Sequence, residues 1–413
     1  MHPRIIAAIV FWLLILGLIV YLIRKKPYEA FSSNTHNNRG KWLFYSFIAY
    51  LPVSIVGLVL FNKRADPIFN IFLGLTFSIG VTLLVWAVYY LIHDLFHGIG
   101  RTIRFLTTGA AALTPNKGRR RFVRQLGIGM AALPFFSFLY GITKGKYDFT
   151  VRHVKLKFAD LPKAFHGMRI AQISDVHSGS FDDIAEVKRG IAMIQAQSPD
   201  LILFTGDFVN QKAEETDAFI PSWKALTAPM GKYSVLGNHD YGFFGTFDSE
   251  EALKKNQEEV KKRYADAGFT LLNNANVKLE KGDEFIRLIG VENWGKPPFP
   301  QFGDLEKATA DVDDHEFKLL MSHDPTHWDM HVLDFPKLIH LTMSGHTHGM
   351  QLGIDIPWLK LSLVKFVYPR WIDLYKVGQR HLYVNRGFGW LGMPARVGIF
   401  PEITVFELSN ADA

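Results

Sequence analysis

Five short apolar runs in the second half of the sequence each end in side chains that can bind a metal ion. The groups that follow these runs are Asp175-Val176-His177, Asp207, Asn238-His239-Asp240, His323-Asp324 and His346-Thr347-His348. Carboxylate, imidazole and amide oxygen ligands suit borderline divalent metals, and this set holds too many ligands for a single ion. Two ions about 3.5–4 Å apart can clamp a phosphoryl oxygen and generate hydroxide at neutral pH. The residue types therefore predict a dinuclear metal centre for phosphoryl chemistry.

The runs that carry these groups have the pattern of short β-strands. From about Val151 onward they alternate with helical stretches and loops, which is typical of an α/β layer protein. The carboxyl ends of the strands in an open sheet line one crevice, so the five groups are expected to converge. Residues two apart point the same way where a chain stays extended, so each His-containing pair is expected to face one site. The predicted strands are 168–174, 201–206, 232–237, 285–291, 317–322, 338–345, 381–385 and 403–408, and an amphipathic helix is predicted over 249–267.

The amino-terminal third of the chain has the composition of a membrane region. Residues 5–23, 42–61 and 67–92 contain no Asp, Glu, Lys or Arg. Each reaches the roughly 20 residues that a helix needs to cross a bilayer. A fourth stretch, 126–142, is at the short end of this range and contains Pro134, so it either crosses or lies at the interface, and we favour crossing. We predict a membrane region over 1–142, a linker over 143–150 and a catalytic domain over 151–413.

The basic charge of the chain belongs to this membrane region. Residues 1–142 carry 15 Lys and Arg against three acidic residues, whereas residues 143–413 carry 31 against 36. A nucleic-acid partner is therefore not expected. The loops after the first and third predicted helices are the basic ones, and cytoplasmic loops accumulate Lys and Arg. With four crossings, this pattern predicts a multi-pass protein of the cell membrane with an extracytoplasmic catalytic domain. The chain has no cysteine, which excludes disulfides and thiolate metal sites.

The order and spacing of the motifs DVH, GD, GNHD, SHDP and GHTH resemble those of the calcineurin-like metallophosphoesterase superfamily, and within it the membrane-associated bacterial YkuE/YaeI-like branch. The resemblance covers about residues 150–410. It implies a metallophosphoesterase-type αββα sandwich, in which two mixed sheets pack together between helices, here preceded by an all-α transmembrane region. It also implies two divalent metal ions per chain, with Mn, Fe or Zn as the candidates.

Carried over residue by residue, the resemblance implies a role for each member of the set. Asp175, His177 and His348 would bind the first ion, and Asn238, His323 and His346 the second. Asp207 would bridge the two ions. His239 would contact the phosphate and protonate the leaving oxygen, with Asp240 orienting its ring.

Three functions remain open from the sequence. The first is a membrane-anchored phosphoesterase that hydrolyses a phosphodiester or pyrophosphate bond, with a lipid-linked substrate as one option. The second is a non-catalytic scaffold with the same fold, and the third is a membrane receptor or transporter whose soluble domain is regulatory. The complete ligand set with His239 favours the hydrolase, and the absence of charged residues from the predicted spans counts against a transport path.

One further segment, residues 356–371, allows two interpretations. It combines Trp358, Leu359, Leu361 and Phe366 with basic residues shortly after the last histidine pair. An apolar segment of this kind is often a buried part of the core. Trp, Tyr and Lys or Arg beside apolar residues are also the composition of a segment that lies in a bilayer interface. On this second interpretation the lipid bilayer is the partner of the segment.

Overall fold

The computed structural model describes residues 17–25, 39–60, 67–109 and 117–411. Contacts between Cα atoms divide the chain into two compact units, Met1–Tyr140 and Gly141–Ala413. In the first unit residues 17–25 are helical (α1). They are followed by α2 (Arg39–Leu60), α3 (Pro67–Thr108) and α4 (Lys117–Thr143), the last three residues of which belong to the second unit.

Two of the described helices are long and apolar enough to cross a membrane. They cover Ile68–Thr108 in α3 and Gly118–Thr143 in α4. The predicted segment 42–61 falls in α2, of which Phe44–Val53 is a shorter apolar stretch, and most of the predicted segment 5–23 lies outside the described residues. Both long helices extend beyond the charge-free stretches, α3 on to Thr108 and α4 back to Lys117.

The membrane unit has its own apolar core. Side chains from four helices meet there: Leu22, Phe44, Leu51, Ile79, Leu83, Trp86, Ala87, Tyr90 and Ala131. A polar contact accompanies the packing of α1 against α3, because Lys25 pairs with Asp94 and the Tyr21 hydroxyl donates to the same carboxylate at 2.7 Å.

The second unit contains fourteen described strands and four described α-helices. The helices are α5 (Ile184–Gln195), α6 (Ile220–Lys224), α7 (Glu250–Asp266) and α8 (Leu305–Ala308). The strands are β1 (Thr150–Phe158), β2 (Arg169–Ile173), β3 (Leu201–Phe204), β4 (Lys232–Ser234), β5 (Thr270–Leu271), β6 (Ala275–Lys281), β7 (Glu284–Gly290), β8 (Lys318–Met321), β9 (Leu341–Ser344), β10 (Ile354–Ile356), β11 (Leu359–Leu361), β12 (Asp373–Val377), β13 (Arg380–Val384) and β14 (Glu402–Asn410).

These strands form two mixed six-stranded sheets and a separate hairpin. The first sheet has the order β1-β14-β2-β3-β4-β5 and the second the order β12-β13-β9-β8-β7-β6. The strands β2, β3 and β4 are parallel in the first sheet, and β7, β8, β9 and β13 are parallel in the second. The hairpin consists of β10 and β11. Each sheet thus has a set of parallel central strands whose carboxyl ends lie on one edge.

The two sheets pack face to face and are covered on the outside by helices. In β3, Leu201 and Leu203 belong to the apolar cluster shared by both sheets, whereas Phe204 faces the cluster that includes residues of α5 and α7. In β8, Leu319 faces the shared cluster and Leu320 the outer one. This alternation follows from the period of two in a strand, and the resulting layers confirm the predicted αββα sandwich.

The predicted elements correspond closely to the central part of the fold. All eight predicted strands are present, and α7 begins after Ser249, whose hydroxyl accepts the N–H of Ala252 at 3.1 Å. Six strands were not predicted. Strands β5, β10 and β11 are only two or three residues long, and β1, β6 and β12 are edge strands in which charged side chains interleave with apolar ones. Residues 143–150, expected to be a linker, include buried Tyr147 and Phe149 and are packed into the second unit.

Candidate metal centre

The predicted metal ligands lie at the carboxyl ends of strands from both sheets. Asp175, Asp207 and Asn238 follow β2, β3 and β4 of the first sheet. Three more follow strands of the second sheet, His323 after β8 and His346 and His348 after β9. His177, two residues beyond Asp175, completes the set. The convergence expected from parallel strand ends is therefore present, and it draws on two sheets rather than one.

The backbone at most of these positions is left-handed. Of the seven predicted ligands, five have positive φ: Asp175 (53°), His177 (50°), Asp207 (62°), His346 (71°) and His348 (51°). The chain is therefore not extended at the two pairs, contrary to the expectation from the sequence, although both pairs do face one site. A non-glycine residue in this region costs of order 1–3 kcal/mol, and such strain concentrates at functional sites.

The glycines that precede three ligands serve two different purposes. Gly206 has φ of 96°, which side chains rarely adopt. Gly237 and Gly345 do not have positive φ, and here the lack of a side chain provides space. A Cβ atom at Gly345 would overlap the hydroxyl of Ser174 and the carboxylate of Asp175, and one at Gly237 would overlap the carboxylate of Asp207.

The first set of ligand atoms gathers around the two histidines at the ends of β2 and β9. The Nε2 atoms of His177 and His348 are 3.0 Å apart. His348 Nε2 lies 3.3 Å from Asp175 Oδ1, and His177 Nε2 lies 3.6 Å from Asp207 Oδ2. The ligand atoms of Asp175, His177 and His348 all fall within 4.8 Å of one another. These side chains are buried and form a candidate metal-binding cluster.

The second set is built around Asn238 and shares Asp207 with the first. Asn238 Oδ1 lies 2.8 Å from His346 Nδ1 and 3.1 Å from His323 Nε2. His323 Nε2 is also 3.2 Å from Asp207 Oδ2. The same carboxylate oxygen of Asp207 therefore faces one histidine of each set.

The donor chemistry of the second set fits a cation. The Nδ1 atom of His323 lies 2.7 Å from the backbone oxygen of Thr205, which can only accept, so Nδ1 carries a proton. In the neutral ring the lone pair of Nε2 then points at Asp207 Oδ2 and Asn238 Oδ1, which are also acceptors. Three lone pairs directed at one another repel unless a proton or a metal ion lies among them. The residues present are thus suited to a divalent ion.

The electrostatics of the site point in the same direction. Burial favours the neutral form of His323, but the Asp207 carboxylate outweighs it and raises the pKa of His323 to about 10. Burial also opposes ionisation of Asp175, yet the imidazole of His348 holds the pKa of that carboxyl well below its usual range. The pKa of His177 and that of His348 are lowered, mainly because burial disfavours an imidazolium. Asp175 is thus ionised beside neutral His177 and His348, as metal binding requires, whereas the proton that His323 holds without an ion would have to be displaced when one binds.

His239 lies beside the two ligand sets and is partly exposed. Its ring is 4.9 Å from that of His177, edge to face, and its Nδ1 lies 2.8 Å from the backbone oxygen of Asn210. Because a carbonyl oxygen only accepts, Nδ1 carries a proton and Nε2 is left for a substrate. The backbone N–H of His239 donates to Asp207 Oδ1 at 2.8 Å, which ties its position to the shared carboxylate.

Asp240 has a different position from the one expected, and the expectation that it orients the His239 ring is wrong. Its buried carboxylate accepts from the backbone N–H groups of Asp207, Phe208 and Gly237, each at 2.9 Å. The Tyr264 hydroxyl donates to it at 2.8 Å. Burial, together with the charge of Asp207, raises the pKa of Asp240 to about 6. Its side chain fixes the two strand-end loops to each other, and Asn210 supplies the contact to His239.

Two residues to which the sequence assigned no role complete the surroundings of His346. Asp324 Oδ2 lies 3.4 Å from His346 Nε2, and the hydroxyl of Tyr368 lies 2.8 Å from the same atom. Asp324 directly follows the predicted ligand His323 in the SHDP motif, so the sequence did contain a signal for it. Tyr368 lies more than twenty residues along the chain from His346, and only the fold brings it there.

The edge of the site that faces solvent is aromatic. Phe244 stacks near His239 with ring centroids 4.6 Å apart, and Phe299 meets His346 edge to face at 4.8 Å. On the opposite side, the buried guanidinium of Arg396 donates to backbone oxygens of Arg386 and Gly389 and lies 3.2 Å from His348 Nδ1. A substrate would approach from the aromatic side.

Two sheets packed between helices, with a ring of carboxylate, imidazole and amide ligands at their shared edge, define a metallophosphoesterase. A family model described as "Calcineurin-like phosphoesterase" matches residues 168–350. A second, described as "Probable Calcineurin-like phosphoesterase, transmembrane domain", matches residues 3–146. The chain belongs to the calcineurin-like phosphoesterase family and is a membrane-associated member of it.

Three relatives illustrate the range of the family around this chain. The uncharacterized metallophosphoesterase YkuE of Bacillus subtilis is 32% identical over 270 residues, which is 64% of this chain and 86% of that protein. The UDP-2,3-diacylglucosamine pyrophosphatase LpxG of Chlamydia trachomatis is 29% identical over 279 residues, 56% of this chain and 81% of that protein. The phosphodiesterase YaeI of Escherichia coli is 27% identical over 301 residues, 70% of this chain and 98% of that protein.

Proposed function

We propose that the second unit is a dinuclear-metal hydrolase of phosphodiester or pyrophosphate bonds that works at a membrane. The observation that carries this proposal is the pair of ligand sets joined by one oxygen of Asp207, with His239 beside them. The names of two relatives, a pyrophosphatase of a diacylated sugar nucleotide and a phosphodiesterase, support the bond type.

In this proposal the two ions are held by the residues assigned above. Asp175, His177 and His348 would hold the first, Asn238, His323 and His346 would hold the second, and Asp207 would contribute to both. Bound ions of this kind polarise the phosphoryl oxygens and lower the pKa of a bound water.

His239 is the residue of the chain that we assign to proton transfer. The contact between its Nδ1 and the Asn210 oxygen fixes the ring. A proton on Nε2 can then pass to the leaving oxygen as the phosphorus–oxygen bond breaks, and the imidazole is left neutral. His239 does not need to bind an ion for this role, and its partial exposure gives a substrate access.

A comparison of leaving groups tests the proposal. The full chain is assayed with aryl phosphodiesters of graded leaving-group acidity, a phosphomonoester, a nucleoside diphosphate ester and a lipid pyrophosphate in vesicles. His239→Ala should keep its ions and lose about 10²- to 10⁴-fold in turnover. The loss should be smallest for the most acidic leaving group, which needs the least protonation.

Two outcomes would contradict the proposal in different ways. Equal losses for His239→Ala across all leaving groups would refute the acid role. A metal-loaded chain without turnover on any of these substrates would favour the non-catalytic scaffold. A regulatory role for this unit in a receptor or transporter would instead appear as transport or ligand binding that survives Asp207→Asn.

We further propose that the catalytic unit lies outside the cytoplasm. The basic residues of the loops after the first and third predicted helices support this orientation, because such loops remain inside. Reporter fusions after Ser33 and after Ala413 should therefore report opposite sides of the membrane. If both report the cytoplasm, α4 does not cross and the catalytic unit lies inside.

A further inference from the structure

The hairpin β10–β11 and the turn that follows it form an exposed apolar surface, which we call the apolar strip (residues 354–367). Its most exposed members are Trp358 at the hairpin tip (81% exposed), Phe366 (78%), Val367 (70%) and Leu363 (64%). Contiguous apolar surface of this kind marks a site of interaction with a protein or a membrane. The sequence left open whether this segment is buried, and the structure exposes most of it.

The hairpin is amphipathic, but its apolar face points outward and its charged face points into the domain, which is the reverse of a hairpin in a hydrophobic core. Cross-strand partners alternate between its two faces, and the pairs Ile354–Leu361 and Ile356–Leu359 share one face. Ile354 and Leu361 on that face are exposed. The other face carries Asp355, whose side chain is buried and pairs with Arg152 at 2.5 Å and with Arg386 at 3.0 Å. The charged face is thus turned into the domain and the apolar face into the surroundings.

The turn after the hairpin has the same organisation. Val364 is buried together with Trp371, Ile372 and Ile399, and this small cluster holds the turn against the domain. The neighbouring Leu363 and Phe366 point away from it and are exposed. The strip is therefore firmly attached on one side, and its apolar side chains are presented by a fixed backbone rather than by a loose loop.

The chemistry of the strip fits a lipid surface. A tryptophan at the tip with flanking lysines is the composition that proteins use at the boundary between headgroups and acyl chains. Lys360 and Lys365 lie within the strip, and Lys360 also pairs with Asp373. The chain carries its own membrane region, and only six residues separate the end of α4 at Thr143 from the start of β1 at Thr150. So short a tether keeps the catalytic unit at a high effective concentration near lipid.

The strip leads directly to the metal centre. Tyr368 follows its last residue, and the hydroxyl of Tyr368 lies 2.8 Å from Nε2 of the predicted ligand His346. The ring of Tyr368 also packs against the cluster that anchors the turn. A lipid surface bound to the strip would therefore contact the chain next to a residue that lies beside the predicted ligand His346.

We propose that the apolar strip inserts into the headgroup region of the bilayer and docks the catalytic unit on the lipid surface. The proposal concerns a lipid surface and not a protein partner. It stands whether or not the unit is a hydrolase, although the proposed function gives it a purpose, since a lipid-borne phosphate would then reach the ions without leaving the membrane.

A single-cysteine experiment on the full chain tests the docking. The chain has no cysteine, so Phe366→Cys can be labelled at one position with an environment-sensitive fluorophore. The labelled protein is reconstituted into phosphatidylcholine and phosphatidylglycerol vesicles with or without nitroxide-bearing lipid. We expect a blue shift and strong quenching at position 366. Lys254→Cys on the charged, exposed face of α7 is the control, and its label should be quenched several-fold less.

Two results would overturn the proposal. Quenching at position 366 that is as weak as at the exposed control position 254 would mean that the strip stays in water. The second result is a label at position 366 that, in detergent without vesicles, becomes more shielded from water as the protein concentration rises. It would identify a second copy of the chain, rather than lipid, as the partner of the strip. Neither readout depends on metal content or turnover, so failure of the docking is distinguishable from failure of the proposed function.

An activity measurement then connects the surface to the site. Trp358→Ser combined with Phe366→Ser should reduce turnover of a vesicle-borne phosphodiester several-fold and leave a small soluble phosphodiester unchanged. Both side chains are exposed, so the melting temperature should also be unchanged. Equal loss on both substrates with an unchanged melting temperature would contradict a docking role.

Discussion

Substitution of Asp240 by Asn tests whether this residue joins the two strand-end loops, as the structure indicates, or orients the ring of His239, as the sequence led us to expect. Oδ2 of Asp240 accepts the N–H groups of Asp207 and Gly237 and the hydroxyl of Tyr264. Oδ1 accepts the N–H groups of Phe208 and Val209, at 2.9 and 3.4 Å. An asparagine of the same shape must direct its NH₂ group at one of these two sets of donors.

The size of the effect follows from this arrangement. Whichever way the amide is turned, two buried backbone N–H groups lose their acceptor. A hydrogen bond to a charged group contributes about 1.5–3 kcal/mol, so Asp240→Asn should lower the free energy of unfolding by about 3–6 kcal/mol. At roughly 2–4 °C per kcal/mol for a unit of this size, the melting temperature should fall by about 6 °C or more.

The assay is thermal unfolding of the detergent-solubilised full chain, followed by fluorescence of the buried tryptophans at fixed metal concentration. His239→Ala is the matched comparison, because it removes a partly exposed ring next to the same loops. It should leave the melting temperature nearly unchanged while turnover is lost. A variant Asp240→Asn that melts like the wild type and loses turnover in the manner of His239→Ala would refute the scaffolding role and restore the orienting one.

Three further substitutions test the ligand sets. Asp207→Asn should lower the content of both ions, measured by elemental analysis, and two tightly retained ions would rule out a shared ligand. Gly345→Ala should displace the carboxylate of Asp175 through overlap with the added Cβ, so metal content should fall while the chain remains folded by circular dichroism. Tyr368→Phe removes the hydroxyl beside His346 and should lower the affinity for one ion by about 10- to 100-fold. Competition with a chelator measures this affinity, and an unchanged value would show that the hydroxyl does not position the His346 ring.

The sequence was sufficient to predict the centre of the fold and to name side chains that the structure brings together at the strand ends. Buried parallel strands are continuous apolar runs, and their carboxyl ends meet, so the groups after β2, β3, β4, β8 and β9 could be expected to converge. The edge strands β1 and β12 were missed because each exposes one face and carries charges on it, so neither is a continuous apolar run.

The details of the site depend on features that a linear sequence does not display. The left-handed backbone at Asp175 and His346 is a property of the packed loops, and it replaced the expected extended geometry. Asp240 stands next to His239 in the sequence, yet its side chain turns away because five donors surround it on the other side. Tyr368 reaches His346 only through the folding of the segment that carries the apolar strip.

The segment 356–371 shows why composition alone left two interpretations. Val364 and Trp371 are buried, and Trp358 and Phe366 are exposed. The same residue types thus serve both purposes within one segment. The register of the hairpin, which turns Asp355 inward, decides which side chains of residues 354–361 face outward, and the packing of Val364 with Trp371 decides it for the turn that follows.

The origin of the ligands in both sheets has a mechanical consequence. Ions held by Asp207 after β3 and by His323 after β8 would add cross-links between two layers that are otherwise joined by apolar contact and by buried hydrogen bonds, such as the one from Gln172 Nε2 to the Ser344 oxygen. Any opening of the sandwich at this edge would then require release of an ion. At a free-ion concentration one hundred times the dissociation constant, ion binding adds about 2.7 kcal/mol to the free energy of such opening. Amide hydrogens of β3 and β8 near the site would exchange more slowly as free metal rises, so the lifetime of the closed sandwich would be set by the metal supply of the compartment in which the protein works.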